Sequence, residues 1–292
     1  MIADYDLDLL SHLHFVAHKR RRTGHWGERR STHRGEGLEF TDYRDYSPGD
    51  DPRSVDWNLY ARLDRPYVRL YEEEEELVTA VLIDGSGSMN WEGETFSKWS
   101  AVQHLAVAFG GIALLHGDVL QGSLLQSGDA PGVWGPYRGR GYFMLWQKWV
   151  NTLTPRSDAT IAGTLTAFAI RATRPALVLL LTDGYDSDGL ASGTAALTAH
   201  GHEVVVLHIL TTDELDPVFR GDLRLIETET GKRQEITIDA VALAAYHQKL
   251  EQWCRNLRTN CAKHGGRYAL LRADLPLRQL LLEDLRHSDV LR

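Results

Sequence analysis

The chain has 292 residues, 43% hydrophobic and 25% charged, the composition of a globular protein with room for one large domain or a core and a smaller companion. Its 32 basic and 40 acidic side chains leave a net charge of −8, which argues against general nucleic-acid binding. Apolar runs such as 176–181 fall far short of the ~20 residues of a membrane span.

The acidic start, with Asp4, Asp6 and Asp8, does not read as a signal or transit peptide. A helix is expected over residues 4–20, with Leu7, Leu9, Leu10, Leu13, His14 and Val16 giving it a mixed apolar face. A basic run comes next, with seven basic residues and one acid between Lys19 and Arg34. Residues 35–75 change character. They are rich in Gly, Tyr, Asp and Arg, carry short β-like pieces such as 67–71, and close on five glutamates, Glu72 to Glu76. Each charge run taken alone reads as solvated surface. The expected division is an N-terminal helix and β-rich head over 1–76, then a sheet domain over 77–292.

From Leu77 on, strands and helices alternate. Strands are expected at 77–83, 119–125, 176–181, 203–210 and 267–272. Helices are expected at 98–116, 142–153, 161–173, 190–200, 239–264 and 275–286. Continuous apolar strands between helices imply a doubly wound, mostly parallel α/β sheet, Rossmann-like, covered on both faces. One hairpin, "LRLIETETGKRQEITI" with a turn near Thr230–Gly231, interrupts it as an insertion over about 219–238. The two cysteines, Cys254 and Cys261, are seven apart on an expected helix, a rise of about 10 Å. That is too far for a disulfide, and a reducing, cytoplasmic setting is expected.

In such sheets ligands sit beyond the carboxyl ends of the strands. Two positions there stand out. Asp84 follows the first strand in "VLIDGSGSMN", with Ser86 and Ser88 at every second residue after it, and Asp183 follows another strand in "LLLTDGYDSDG". Residues i, i+2 and i+4 of an extended loop tend to project to one side. Oxygen-only donors of this kind suit a hard divalent cation, Mg²⁺ before Ca²⁺, with Mn²⁺ also possible.

Asp84-Gly85-Ser86-Gly87-Ser88 resembles the DxSxS motif of von Willebrand factor type A domains. That resemblance implies a metal-ion-dependent adhesion site completed by a threonine and a second aspartate. Thr160, with Gly163, fits the threonine in "DATIAGTLTAF" (Thr164 is the nearby alternative), and Asp183 fits the aspartate in Thr182-Asp183-Gly184. The head, with "YRDYSPGDDPRSVDW" over 43–57, Ala61-Arg62 and the acidic stretch before the DxSxS strand, resembles the bacterial family DUF58. Membership would imply a metal-binding, partner-docking module, often encoded beside MoxR-type AAA+ ATPases. A partner carboxylate would complete the shell of a metal held by Asp84, Ser86, Ser88, Thr160 and Asp183, without turnover.

Plainer roles exist for the same residues. Asp84, Ser86, Ser88 and Thr160 can cap helices, Asp186 and Asp188 can be turn residues with Asp188 capping the next helix, and the eight tryptophans are mostly core or loop packing by default. Arg44, Asp50, Asp51, Arg53, Asp56 and Arg62 read as an internal polar network tying the head to the sheet domain. His14 and His18 are four apart but lack a carboxylate partner. Two other functions compete. A Mg²⁺-dependent phosphatase would want a second Asp two residues after Asp84, where Ser86 stands, and a serine hydrolase would want GxSxG. No phosphate loop occurs. Nucleic-acid binding through the 19–34 arm has local charge with Trp26 and five nearby histidines in its favour, and the net charge of −8 and the lack of a known module against it.

Overall fold

The computed structural model describes residues 7–17, 38–73, 77–93, 96–126, 132–156, 161–217, 221–226 and 233–292. In chain order its main elements are helix α1 (Leu7–Ser11), strand β1 (Leu38–Asp45), helix α2 (Trp57–Leu63), strands β2 (Tyr67–Glu73) and β3 (Val78–Asp84), helix α3 (Lys98–Leu115), strands β4 (Val119–Leu125) and β5 (Gly132–Arg138), and helices α4 (Phe143–Thr152) and α5 (Ile161–Arg171). Then come β6 (Leu177–Thr182), α6 (Ser187–Ala199), β7 (Glu203–Leu210), the short α7 (Thr212–Leu215), β8 (Gly221–Ile226), β9 (Arg233–Ile238), α8 (Ala240–Lys263) and β10 (Arg267–Arg272).

The chain divides into two compact units, one of residues 20–76 and the other of residues 1–19 with 77–292. The sheet unit takes up the chain again at Leu77. The N-terminal helix belongs with the sheet, where Leu10, Leu13 and Phe15 join a core cluster that includes residues of α3. That helix is also shorter than the expected 4–20. After Ser11 the chain runs extended, and Phe15 forms an antiparallel bridge with Leu291. The apolar spacing of residues 13–16 serves an extended segment here, so the helical period misleads.

The sheet unit is built on six strands in the order β10-β7-β6-β3-β4-β5. All neighbours are parallel except β4 and β5, which are antiparallel. Strand order reverses at β3, since the chain steps from β3 to β4 on one side and later fills β6, β7 and β10 on the other. Every residue of β3, β6 and β7 is buried, as expected for strands covered on both faces. Alternate residues feed two cores. Val81 and Ile83 pack with α3 and α4 residues such as Phe109 and Trp146. Ala80 and Leu82 pack with α5, α6 and α8 residues such as Leu165, Leu197 and Leu257.

Strand β5 has no counterpart among the elements expected from the sequence. "GVWGPYR" carries two glycines and a proline, which suit an edge strand but hide it from pattern. The final helix expected over 275–286 is broken into short turns, with a π-helical stretch at Leu280–Asp284. The insertion is an antiparallel hairpin of β8 and β9; its turn, 227–232, lies outside the described residues. So do the basic run 19–34 and His18.

In the head unit β1 pairs antiparallel with β2, and α2 lies between them in sequence. Its polar groups are tied locally. Arg44 makes a two-pronged pair with Asp50 at 2.7 Å on each arm. Asp51 accepts from the Arg53 N–H, and Asp56 caps α2 by accepting from the N–H groups of Asn58 and Leu59. Tyr43 donates to Asp56 at 3.0 Å. These bonds all join residues of the head. Two tryptophans are exposed, Trp57 at 59% and Trp91 at 40%.

Candidate metal centre

Asp84 ends β3 and Thr182 ends β6, side by side at the strand-order reversal, with Ile83 registered opposite Leu181. Both Asp84 and Asp183 are only 1% exposed. The loop after Asp84 is held by its backbone: Gly85 donates to the Leu125 carbonyl at 2.9 Å and accepts from the Arg156 N–H at 2.7 Å. A Cβ on Gly85 would lie 2.9 Å from the Leu125 oxygen, so the close approach demands glycine. Gly184, after the second aspartate, sits at φ +71°, the left-handed region glycine tolerates.

Each Asp84 oxygen has a protein donor. Oδ1 accepts from the Ser86 N–H at 2.9 Å and Oδ2 from the Thr182 hydroxyl at 2.6 Å. The Ser86 and Ser88 hydroxyls lie 3.1 Å apart, Ser86 just before and Ser88 within a short 3-10 turn at Gly87–Met89. Asp183 Oδ1 accepts weakly from the Tyr185 N–H at 3.5 Å. Of the five expected ligands, Asp84, Ser86, Ser88 and Asp183 meet in one crevice. Thr160 lies outside the described residues. The alternative Thr164 is turned into its own helix, donating to the Ile161 carbonyl at 2.9 Å. Asp188 does not cap α6; Asp186 does, accepting from the Gly189 N–H at 2.9 Å.

The electrostatics are strained in one direction. Burial, and then the neighbouring Asp183 charge, push the Asp84 carboxyl up to about 6, against the pull of the Thr182 and Ser86 hydrogen bonds. Burial likewise raises Asp183, against the opposing charge of Lys98. Two buried carboxylates that resist ionisation are short of positive charge. The donors on offer are carboxylate and hydroxyl oxygens, without a sulfur or imidazole, which is the chemistry of a hard dication. Among the described residues no group of three or more His, Cys, Asp or Glu forms a metal cluster; the set here has two carboxylates and takes its remaining donors from hydroxyls. The residues present fit a hard divalent ion.

Several side chains that build the site were not singled out in the sequence. Lys98, the first residue of α3, is fully buried and reaches Glu214 at 2.7 Å and Asp183 at 3.4 Å. Glu214 is fixed by a capping box at the start of α7, where it accepts from the Thr211 N–H at 2.7 Å while its own N–H donates to the Thr211 hydroxyl at 3.2 Å. Tyr185 donates to Glu214 at 3.1 Å. His208, on β7, lies 2.8 Å from the Asp183 carbonyl through Nε2 and 2.7 Å from the Tyr268 hydroxyl through Nδ1. A carbonyl can only accept, so Nε2 carries the proton and Nδ1 accepts from Tyr268. Burial pushes His208 down to about 4, keeping it neutral and bracing the Asp183 loop. "TTDE" at 211–214 was a readable capping-box signal; Lys98 gave only a helix start.

A doubly wound α/β domain with an acid-and-hydroxyl crevice at its strand-order reversal is the class these features define. The sequence pattern described as "Protein of unknown function DUF58" matches residues 42–254, and the chain belongs to that family. The uncharacterized protein Rv1480 of Mycobacterium tuberculosis is 27% identical over 209 residues, covering 70% of this chain and 65% of the relative; the chain thus spans just under two thirds of the length of that relative. Among solved structures, the conserved hypothetical protein BatB of Bacteroides thetaiotaomicron aligns over 73% of this chain and 98% of its own at 12% identity, with a TM-score of 0.44. A von Willebrand factor type A protein of Catenulispora acidiphila aligns over 76% of this chain and 43% of its own at 15% identity, also with a TM-score of 0.44. Among the described residues no helix is long and apolar enough to cross a membrane.

Proposed function

We propose that the protein is a metal-dependent protein-interaction module. Asp84, Ser86, Ser88 and Asp183, with Thr160 from the segment before α5, hold a divalent cation, Mg²⁺ first and Mn²⁺ or Ca²⁺ as alternatives. The observation that carries this reading is the pairing of two buried carboxylates at adjacent strand ends, with Asp84 pushed up to about 6 and two hydroxyls beside them. A bound dication supplies the missing positive charge and an open position for a partner's carboxylate, since Mg²⁺ keeps exchangeable waters. The chain's own residues orient that ion and exclude bulk water from one side of it. The partner is a MoxR-type AAA+ ATPase in a chaperone-like or assembly role, and no turnover is expected. Ser86, where a phosphatase of the two-aspartate kind would carry a carboxylate, supports binding over hydrolysis. Cys254 and Cys261 are both free thiols, which supports a reducing, cytoplasmic setting.

Titration calorimetry of Mg²⁺ and Mn²⁺, with Asp84→Ala alongside, tests the site. Saturable binding that the variant loses is the expected result, followed by metal-dependent capture of the ATPase. Mg²⁺-dependent phosphoester turnover by the purified chain would contradict the reading.

A further inference from the structure

Among the described residues Lys98 is the only buried lysine or arginine. A buried ammonium is costly unless it is paired and hydrogen-bonded. Lys98 Nζ meets Glu214 Oε1 at 2.7 Å, Asp183 Oδ2 at 3.4 Å and the Ser88 carbonyl at 3.5 Å. It therefore stands against the same aspartate that the proposed ion would use. Glu214 does not depend on Lys98 for its place, because the capping box and Tyr185 also hold it. The ammonium has one firm partner outside the metal shell and two weaker ones on residues of the shell, Asp183 and the Ser88 carbonyl. Counted as charges, Asp84, Asp183 and Glu214 face a single Lys98, and a dication balances the remainder.

We propose that Lys98 is a resident counter-cation of the metal site, shared between Asp183 and Glu214, that sets how strongly the site takes a divalent ion. This rests on the metal-site reading above. The ammonium opposes the ion through like charge at short range. Glu214 limits that opposition by holding the ammonium back and leaving Asp183 to the metal. A purely structural lysine would act the other way, since removing it would loosen the loop and weaken binding.

Calorimetric Mn²⁺ affinities of the whole chain separate the two. Lys98→Met is expected to bind Mn²⁺ at least about tenfold more tightly than wild type, and Glu214→Gln at least about tenfold more weakly, each step near the 1.4 kcal/mol that a factor of ten represents. Glu214→Gln should have little effect once Lys98 is Met, because its role runs through the ammonium. Unchanged or weaker binding in a folded Lys98→Met overturns the inference. Should circular dichroism show that this variant does not fold, Glu214→Gln decides alone, and unchanged or tighter binding in it overturns the inference. Wild-type binding with no split between variants fails this inference only. Loss of binding in wild type and Lys98→Met alike fails the metal-site reading and the inference with it.

Discussion

Asp50 in the head and Asp84 in the sheet unit are the same side chain under opposite treatment. Asp50 receives two bonds from the Arg44 guanidinium and one from the Ser47 N–H, and this holds its carboxyl down at about 2. Asp84 has only two neutral donors, and burial and then the neighbouring Asp183 charge push it up to about 6. The head carboxylate is completed by the protein. The one at the strand end is not, and a group left incomplete in a buried crevice points to function.

The largest expected effect comes from removing the unmet charge. Asp84→Asn should abolish Mg²⁺ binding yet raise the melting temperature of the metal-free protein at neutral pH. The gain is bounded by the shift of about two pH units, on the order of 3 kcal/mol. A variant that loses metal and stability together would break the contrast.

A pH series sharpens it. The Asp84 pKa is raised on folding, so its ionisation disfavours the folded state. Its contribution is most favourable below the unfolded value near 4 and is lost as pH rises through about 6. Asp50 runs oppositely, its stabilisation present above about 4 and lost as pH falls toward 2. The rise in melting temperature caused by Mg²⁺ should accordingly be larger at pH 7.5 than at pH 5. An equal rise at both would remove Asp84 from the account.

Smaller effects lie on the other side. Arg44→Ala breaks a partly exposed pair, and such pairs contribute little. Melting temperature should fall slightly and Mn²⁺ affinity should not change. A smaller signal still is the His208 ring. Nitrogen chemical shifts should show Nε2 protonated and the ring neutral down to about pH 5, because burial holds its titration near 4.

Much of this was readable from the sequence, and the gaps have physical causes. The strands β3, β6 and β7 are continuous apolar runs buried on both faces, so hydrophobicity alone revealed them. Strand β5 and the extended segment through Phe15 take their shape from partners, β4 and Leu291, which local pattern cannot carry. The DxSxS and TDG stretches put Asp84, Ser86, Ser88 and Asp183 in view because polar residues stand out directly after an apolar strand. Lys98 and Glu214 meet across 116 positions of chain, and neither carries a local mark of that pairing.

The central claim is that the Asp84 carboxyl, raised by burial and by Asp183, is a metal ligand awaiting its charge. The most direct measurement is Mg²⁺ titration calorimetry at pH 6 in two buffers of different ionisation heat, which counts protons released on binding. With Asp84 titrating near 6, wild-type binding should expel a substantial fraction of a proton, and Asp84→Asn should show neither binding nor release. Saturable binding with no proton released, retained in Asp84→Asn, would place the ion elsewhere and contradict the account.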